Sequence, residues 1–539
     1  MSRLEIASPK RAKIVMEGLY KDLERRIESS PPGLCPVDMA RAFLELCHAQ
    51  TCGKCVPCRI GLGQLNNFIR EVLDGKATMK TLDIMEQTAL SIMESADCAI
   101  GYEAANMVYK GLIGYRDDYI EHIQNGRCTC TYNQPVPCVS LCPAHVDIPG
   151  YIALVGEGRY ADAIRLLRKD NPFPTTCGFI CEHPCEARCR RNMVDDSINI
   201  RGLKRVAADF AGEVDPPQCA PSTGKKIAIL GGGPGGLSAA YYLQLMGHQT
   251  TVYEMLPELG GMLRYGIPNY RLPKERLDDD IRAILKTGVQ VKNGLKIGQD
   301  ITIQELRQQY DVVLITIGAS TDKKLGLENE DADGIISAVQ FLRNVGKNQI
   351  IDLTGKEVVV IGGGNVSMDA VRTAKRLGAK KVSIVYRRRV ADMTALPGEI
   401  EGAVAEGIEL QTLKAPASID VDENHHVKGI YVTPQMVSSI RDGRASIKPT
   451  GEEDIYIPCD VLIVAIGQNI ETHHFEQAGI PVERGKIITK STGAFENLPG
   501  VFAGGDCASG PASVIKAIAA AKVVAANIDE YLGYHHEIS

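Results

Sequence analysis

The sequence contains no tryptophan, and aromatic residues make up only 5% of its 539 positions. A nucleic-acid platform of stacked aromatic side chains among basic residues has little to draw on here. Positive charge is not in surplus either. Lys+Arg 60 against Asp+Glu 66 leaves a formal net charge of −6, so no global field draws the chain to nucleic acid or anionic lipid. No apolar run approaches the roughly 18 to 20 residues of a membrane span. The best candidate, residues 512–528, is broken by Lys516 and Lys522 and reads as a core helix. Residues 1–15 are charged and lack an apolar signal core. Cysteine, by contrast, is plentiful at 17 residues, an odd number in a chain too long for a disulfide-stapled mini-fold. The expected compartment is reducing cytoplasm, where clustered thiols more often hold metal than form bridges. At roughly 100 to 200 residues per domain, the length implies about three to four domains.

Fourteen of the cysteines lie between Cys35 and Cys189, and only Cys219, Cys459 and Cys507 lie beyond. The chain therefore divides into a thiol-rich first part and a glycine-rich second part, with a proline-rich boundary near 214–224. Residues 1–125 carry helical apolar spacing at Ile14, Leu19, Leu23 and Ile27, and again over 82–93. Within them Cys52, Cys55 and Cys58 are spaced two apart, and Cys98 follows after 39 residues. Three close thiolates can wrap three corners of a cubane while a distant fourth closes it. Structural zinc, the alternative, more often uses two separated pairs. A second group comprises Cys128, Cys130, Cys138 and Cys142, then Cys177, Cys181, Cys185 and Cys189. Eight thiols is the number that two all-cysteine cubanes require.

From about Lys225 onward, short β-branched runs alternate with helical patterns, as in parallel sheets with crossover helices. The strand at Lys226–Leu230 runs into Gly231-Gly232-Gly233-Pro234-Gly235-Gly236, and the next strand ends at Glu254. Glycine there permits close approach of backbone to a pyrophosphate at a helix N-terminus, while the acid can accept both ribose hydroxyls. A second unit starts at Val358, with Gly362, Gly364, Asn365 and Val366 in its turn. Its second strand ends in Arg387-Arg388-Arg389 instead of an acid. Guanidinium groups match the 2′-phosphate of NADP where a carboxylate would repel it, which favours NADP over NAD. Two such sites fit a flavin plus a nicotinamide.

Residues 51–61, 97–101 and 115–119 resemble the iron–sulfur domain of the NADH- and FMN-binding subunit of respiratory complex I and of multimeric hydrogenases. That family's FMN- and NADH-binding part does not accompany them. Residues 142–149, 170–174 and 198–204 resemble the glutamate synthase small subunit, a family shared with the large subunit of ferredoxin-linked transhydrogenases and with the N-terminal part of dihydropyrimidine dehydrogenase. In that family the two clusters interleave their ligands. On matching positions, Cys128, Cys130, Cys138 and Cys189 would hold one cluster, and Cys142, Cys181 and Cys185 the other. The family's remaining ligand, a Gln or Glu, falls on Lys204, so Cys177 is taken as the substitute. The same resemblance extends over about 126–535. It places FAD at Glu254, at the segment 260–268 with Gly261 and Arg264, and at the closing motif with Gly505 and Asp506.

The expected fold is multidomain, with α-helical iron–sulfur domains (1–125 and 126–215) preceding an α/β flavoprotein of two Rossmann-like domains. The FAD domain would run over 224–345 and 461–539, with an NADP(H) domain inserted at 346–460. Cofactors would be FAD, NADP(H) and three 4Fe-4S clusters. No general base is nominated, because hydride transfer needs positioning more than proton transfer. Disulfide reductases on this scaffold carry a close cysteine pair beside the flavin, whereas Cys219, Cys459 and Cys507 are isolated in sequence, which disfavours dithiol chemistry. The resemblance implies the NADP(H)-binding subunit of a multi-subunit transhydrogenase, a class that includes electron-bifurcating enzymes. NADH/FMN-binding and ferredoxin-like iron–sulfur subunits would be its partners. Alternatives are a glutamate synthase small subunit, the NADPH-linked subunit of a hydrogenase or formate dehydrogenase complex, and a redox-sensing or assembly protein.

Overall fold

The computed structural model describes residues 12, 15–23, 35–126, 136–349, 351–441 and 444–536. Cys128 and Cys130, and the apolar positions Ile14 and Ile27, lie outside the described residues. Two compact units form: Met1–Ile148 with His183–Ile200, and Pro149–Glu182 with Arg201–Ser539. The region expected as a separate 126–215 domain is thus shared between the units. Among the described residues, no helix is long and apolar enough to cross a membrane.

The first unit is helical. Pro36, which needs no intrahelical partner for a backbone N–H, opens the helix Pro36–Ala49. A capping box between Thr78 and Thr81 opens Met79–Ser95. Gly126, at φ +60°, is the left-handed residue that closes Arg116–Asn125. The apolar stripe read over 82–93 faces inward: Leu82, Met85, Ala89 and Ile92 are buried in one core with Leu44, Leu65, Val108 and Tyr119.

The second unit is built on two parallel sheets. The first runs Val501–Ala503, Val312–Ile315, Lys226–Leu230, Gln249–Glu254, Gln290–Asn293 in spatial order. The second runs Ile335–Ser337, Val461–Val464, Glu357–Ile361, Lys381–Tyr386, Glu409–Thr412. The central strands Val312–Ile315, Lys226–Leu230, Val461–Val464 and Glu357–Ile361 read as apolar runs because both faces are covered, whereas the edge strands Gln290–Asn293 and Glu409–Thr412 are polar. An antiparallel layer of Lys414–Val421, Val427–Arg441, Arg444–Pro449 and Ile455–Pro458 follows the second sheet. The chain passes between the sheets where Thr321–Asp322 pairs with Gln468–Asn469. The inserted sheet therefore reaches beyond 346–460 at both ends, taking Ile335–Ser337 and Val461–Val464 with it. The apparent linker at 214–224 is anchored too, since Ala220 N donates to Leu245 O at 2.8 Å and Thr223 N to Gly247 O at 2.9 Å.

Candidate functional site

At the first glycine turn, the backbone closes so tightly that side chains are excluded. Gly231 has φ +110°, and a Cβ there would meet Thr316 O at 2.5 Å. A Cβ on Gly236 would lie 1.9 Å from Gly231 O, so this glycine lets the helix Pro234–Leu245 seat against the turn. Gly261, at φ +52°, brings a second chain segment against Gly233, where a Cβ would be 2.8 Å from its Cα. Between these segments runs a cavity bounded by Gly231, Gly233, Pro234, Glu254, Gly261, Gly505 and Asp506. Its walls also include Met262, Tyr265, Thr316–Ser320 and Arg343. The Gly-containing loop after the strand Val312–Ile315 was the only sequence signal for that wall.

Glu254 ends its strand buried, with Oε2 accepting from Gly232 N at 2.7 Å and Oε1 from Leu256 N at 2.8 Å. Burial pushes its carboxyl up, and these backbone donors pull it back. Asp506 sits after Gly505, at φ +72°; burial raises its carboxyl while a backbone N–H from Ala512 opposes the rise. The cradle fits an extended dinucleotide. Arg264 differs from expectation: its Nε donates to Leu259 O at 2.6 Å and its guanidinium pairs with Asp278, so it braces the segment from behind without lining the cavity.

The second turn repeats the design. A Cβ on Gly362 would meet Ala465 O at 2.3 Å, and one on Gly363 the Tyr386 ring at 2.6 Å. Gly364 precedes the helix Asn365–Arg376, leaving backbone N–H groups directed at the turn. Asn365 is already engaged, accepting from Leu396 N at 3.0 Å and donating to Glu182 at 3.2 Å. Val366 packs on the core beneath. Arg387 is exposed and has no hydrogen bond or ion pair among the described residues. Arg388 donates from Nε to Ala445 O at 3.0 Å. Arg389 grips Asp392 at 2.8 and 2.9 Å, holding that carboxyl down at about 2.

In the helical unit Cys52, Cys55 and Cys58 lead into a π-helical turn, Pro57–Gly61, a feature frequent at functional sites. Cys98 precedes the helix Ala99–Gly114. The four converge: burial, then Cys55, Cys98 and Cys52, push the Cys58 thiol up to about 12. Gly101 leaves room for that sulfur, since a Cβ would meet Cys58 Sγ at 2.6 Å. This set of soft donors fits a cluster. Also in this unit, the helices Pro137–Leu141 and Pro184–Ala187 pack together, bringing Cys138 and Cys142 toward Cys185 and Cys189. Cys138 feels the charges of Cys189 and Cys142. In the other unit Cys177 is fully buried one turn before Cys181, with Sγ 3.8 Å from Asn171 Oδ1 and near Lys204. Cys459 and Cys507 are buried in separate cores, and Cys219 Sγ faces Thr287 O at 3.6 Å. Among the described residues no dithiol pair stands at the first cradle.

Two parallel sheets, each opening into a glycine cradle, together with converging cysteine sets, define an NAD(P)H-dependent flavin and iron–sulfur oxidoreductase. The pyridine nucleotide-disulphide oxidoreductase family matches over residues 225–521. The NADH-ubiquinone oxidoreductase-F iron-sulfur binding region matches over 38–122, and dihydropyrimidine dehydrogenase domain II, 4Fe-4S cluster, over 114–215. The chain belongs to the pyridine nucleotide-disulphide oxidoreductase family, extended by iron–sulfur modules. It is 32% identical to the NADP(+)-dependent formate dehydrogenase subunit beta of Moorella thermoacetica, over 91% of this chain and 79% of that one. It is 34% identical to the NADPH-Fe(3+) oxidoreductase subunit beta of Geobacter sulfurreducens, over 93% and 79%. The glutamate synthase [NADPH] small chain of Escherichia coli is 34% identical over 73% and 88%. Among solved structures, FprA from Mycobacterium tuberculosis superposes with a TM-score of 0.51 at 21% identity, covering 57% of this chain and 85% of that one, which bears on the fold alone.

Proposed function

We propose that this chain is the NADP(H)-linked subunit of a larger redox assembly. The carrying observation is the contrast between the two cradles within one unit, Glu254 at the first and the free Arg387 at the second. The first suits the adenosine ribose of FAD, and the second suits the 2′-phosphate of NADP(H). When bound, a flavin supplies the conversion between two-electron hydride chemistry and one-electron transfer. The protein's part is to hold both dinucleotides by backbone N–H groups and to keep a reactive dithiol away. The cysteine sets would hold three 4Fe-4S clusters, which would supply one-electron carriers between the flavin and a partner subunit.

The match over 91 to 93% of the chain to two beta subunits, against 73% for the glutamate synthase small chain, favours an assembly of the first kind. We place the chain on the NADP(H) side of such an assembly, of transhydrogenase or formate dehydrogenase type, with NADH/FMN-binding and ferredoxin-like iron–sulfur subunits as partners. Anaerobic NADPH added to the purified chain should bleach flavin and cluster absorbance together, with about twelve irons per chain, four for each cubane. Failure of NADPH to reduce either chromophore would sink this reading. Co-purification with a glutamine-cleaving subunit would favour the glutamate synthase alternative.

A further inference from the structure

We propose that His248, Asp529 and His536 form a divalent-cation site of the zinc class, fastening the segment after the helix Val514–Tyr531 to the start of the strand Gln249–Glu254. Asp529 and His536 lie close together near the end of the chain and His248 lies 281 residues before Asp529, yet the three donor atoms lie within 4.8 Å of one another. His248 Nε2 is 2.9 Å from Asp529 Oδ1, and His536 Nδ1 is 2.8 Å from the same oxygen. Bonds of about 2.0–2.2 Å in tetrahedral geometry put neighbouring ligand atoms roughly 3.3–3.5 Å apart. Entry of a cation thus asks each of these two pairs to open by about half an ångström. Two imidazole nitrogens and one carboxylate suit zinc and its neighbours, whereas magnesium and calcium prefer all-oxygen surroundings.

The surrounding groups are arranged as a ligand set requires. His248 Nδ1 is 2.7 Å from Thr223 Oγ1, which itself donates to Gly247 O at 3.2 Å. With the proton on Nδ1 this relay is satisfied and Nε2 presents its lone pair to the cation; such outer contacts fix ring orientation at metal sites. Asp529 Oδ2 accepts from His536 N at 2.7 Å, leaving Oδ1 to ligate. His248 is 0% and Asp529 2% exposed, while His536 is 29% exposed. The cation would enter on the His536 side, where a water can complete the tetrahedron. The stacked pair of Tyr534 and His536, 5.7 Å between ring centroids, walls the site. None of these residues belongs to either cradle or to the cysteine sets.

The test uses holoprotein loaded with flavin and clusters, stripped of loose metal by a chelator and titrated with zinc against a zinc indicator. His536→Gln and Thr223→Val are run in parallel, and iron is assayed before and after. Wild type should take one zinc per chain with a raised thermal midpoint and unchanged iron. Affinity should fall at least about tenfold in His536→Gln, and also in Thr223→Val, which keeps every ligand but removes the relay. Equal uptake by wild type and both variants overturns the proposal, whether that uptake is nil or reflects zinc captured by cluster cysteines with loss of iron.

Discussion

Arg387, Arg388 and Arg389 stand in a row and meet three different fates. Arg389 is consumed by Asp392, Arg388 leans on Ala445 O, and only Arg387 keeps its whole fork for a ligand. Replacing Arg387 by alanine should therefore raise KM for NADPH by about ten- to a hundredfold, since a charge-assisted hydrogen bond contributes roughly 1.5–3 kcal/mol. KM for NADH, which lacks the 2′-phosphate, should move little; steady-state kinetics with both nucleotides decides, and equal losses would remove the assignment. That arginines end this strand, where an acid would otherwise sit, was legible in the sequence. Which arginine is free was not, because Asp392 and Ala445 reach the row through the fold. Arg264 teaches the same lesson, since its partner Asp278 lies a turn-and-helix away and converts a nominated ligand contact into a brace.

At the scale of elements, the helix Pro174–Ile180, which carries Cys177 and ends at Cys181, is held from outside. Asp280, fully buried on the helix Lys274–Leu285, accepts from Thr176 N at 2.7 Å and Thr175 N at 3.3 Å. Burial lifts its carboxyl to about 6 despite these donors. A folded value raised above the unfolded one of about 3.9 means that protonation favours the fold, so stability attributable to this group grows as pH falls from about 6 toward 4. Between pH 7 and pH 5 the wild type should gain on the order of 1 kcal/mol relative to Asp280→Asn, which cannot titrate. Thermal midpoints of the two proteins across that range check it; parallel curves would refute it. The tight glycine turns and the approach of Cys52, Cys55, Cys58 and Cys98 were readable from spacing, because both are local. Asp280 gave no signal, its partners being about a hundred residues away. The edges of the inserted sheet escaped notice for another reason: Val461–Val464 has the same apolar character as strands of the first sheet, and only pairing assigns it.

At the scale of the whole two-sheet unit, a buried ion network links the segment beside the first cradle to the helix of the second. Arg271, shortly after the segment lining the first cavity, donates to both oxygens of Asp369 at 2.9 and 2.8 Å and pairs with Glu399 at 3.1 Å. Asp369 lies on the helix that begins at the second glycine turn. Arg372 joins Glu399 and Glu406 on that side, while Tyr270 packs beneath Arg372 and Arg376. Side chains of Arg271 and Asp369 are only 11% and 5% exposed, so solvent cannot replace a lost partner. Arg271→Gln should destabilise by about 3–5 kcal/mol, because it strands a buried carboxylate whose value burial already lifts to about 6. Adding Asp369→Asn should recover much of that stability, since the stranded charge is then gone. Rate should not recover with it. If the network sets the mutual placement of the two dinucleotides, a shift of about 1 Å costs on the order of a hundredfold. Stopped-flow reduction by saturating NADPH should then stay slow in the double variant, with flavin content and NADPH affinity near wild type. Recovery of both stability and rate would reduce the network to a simple structural tie.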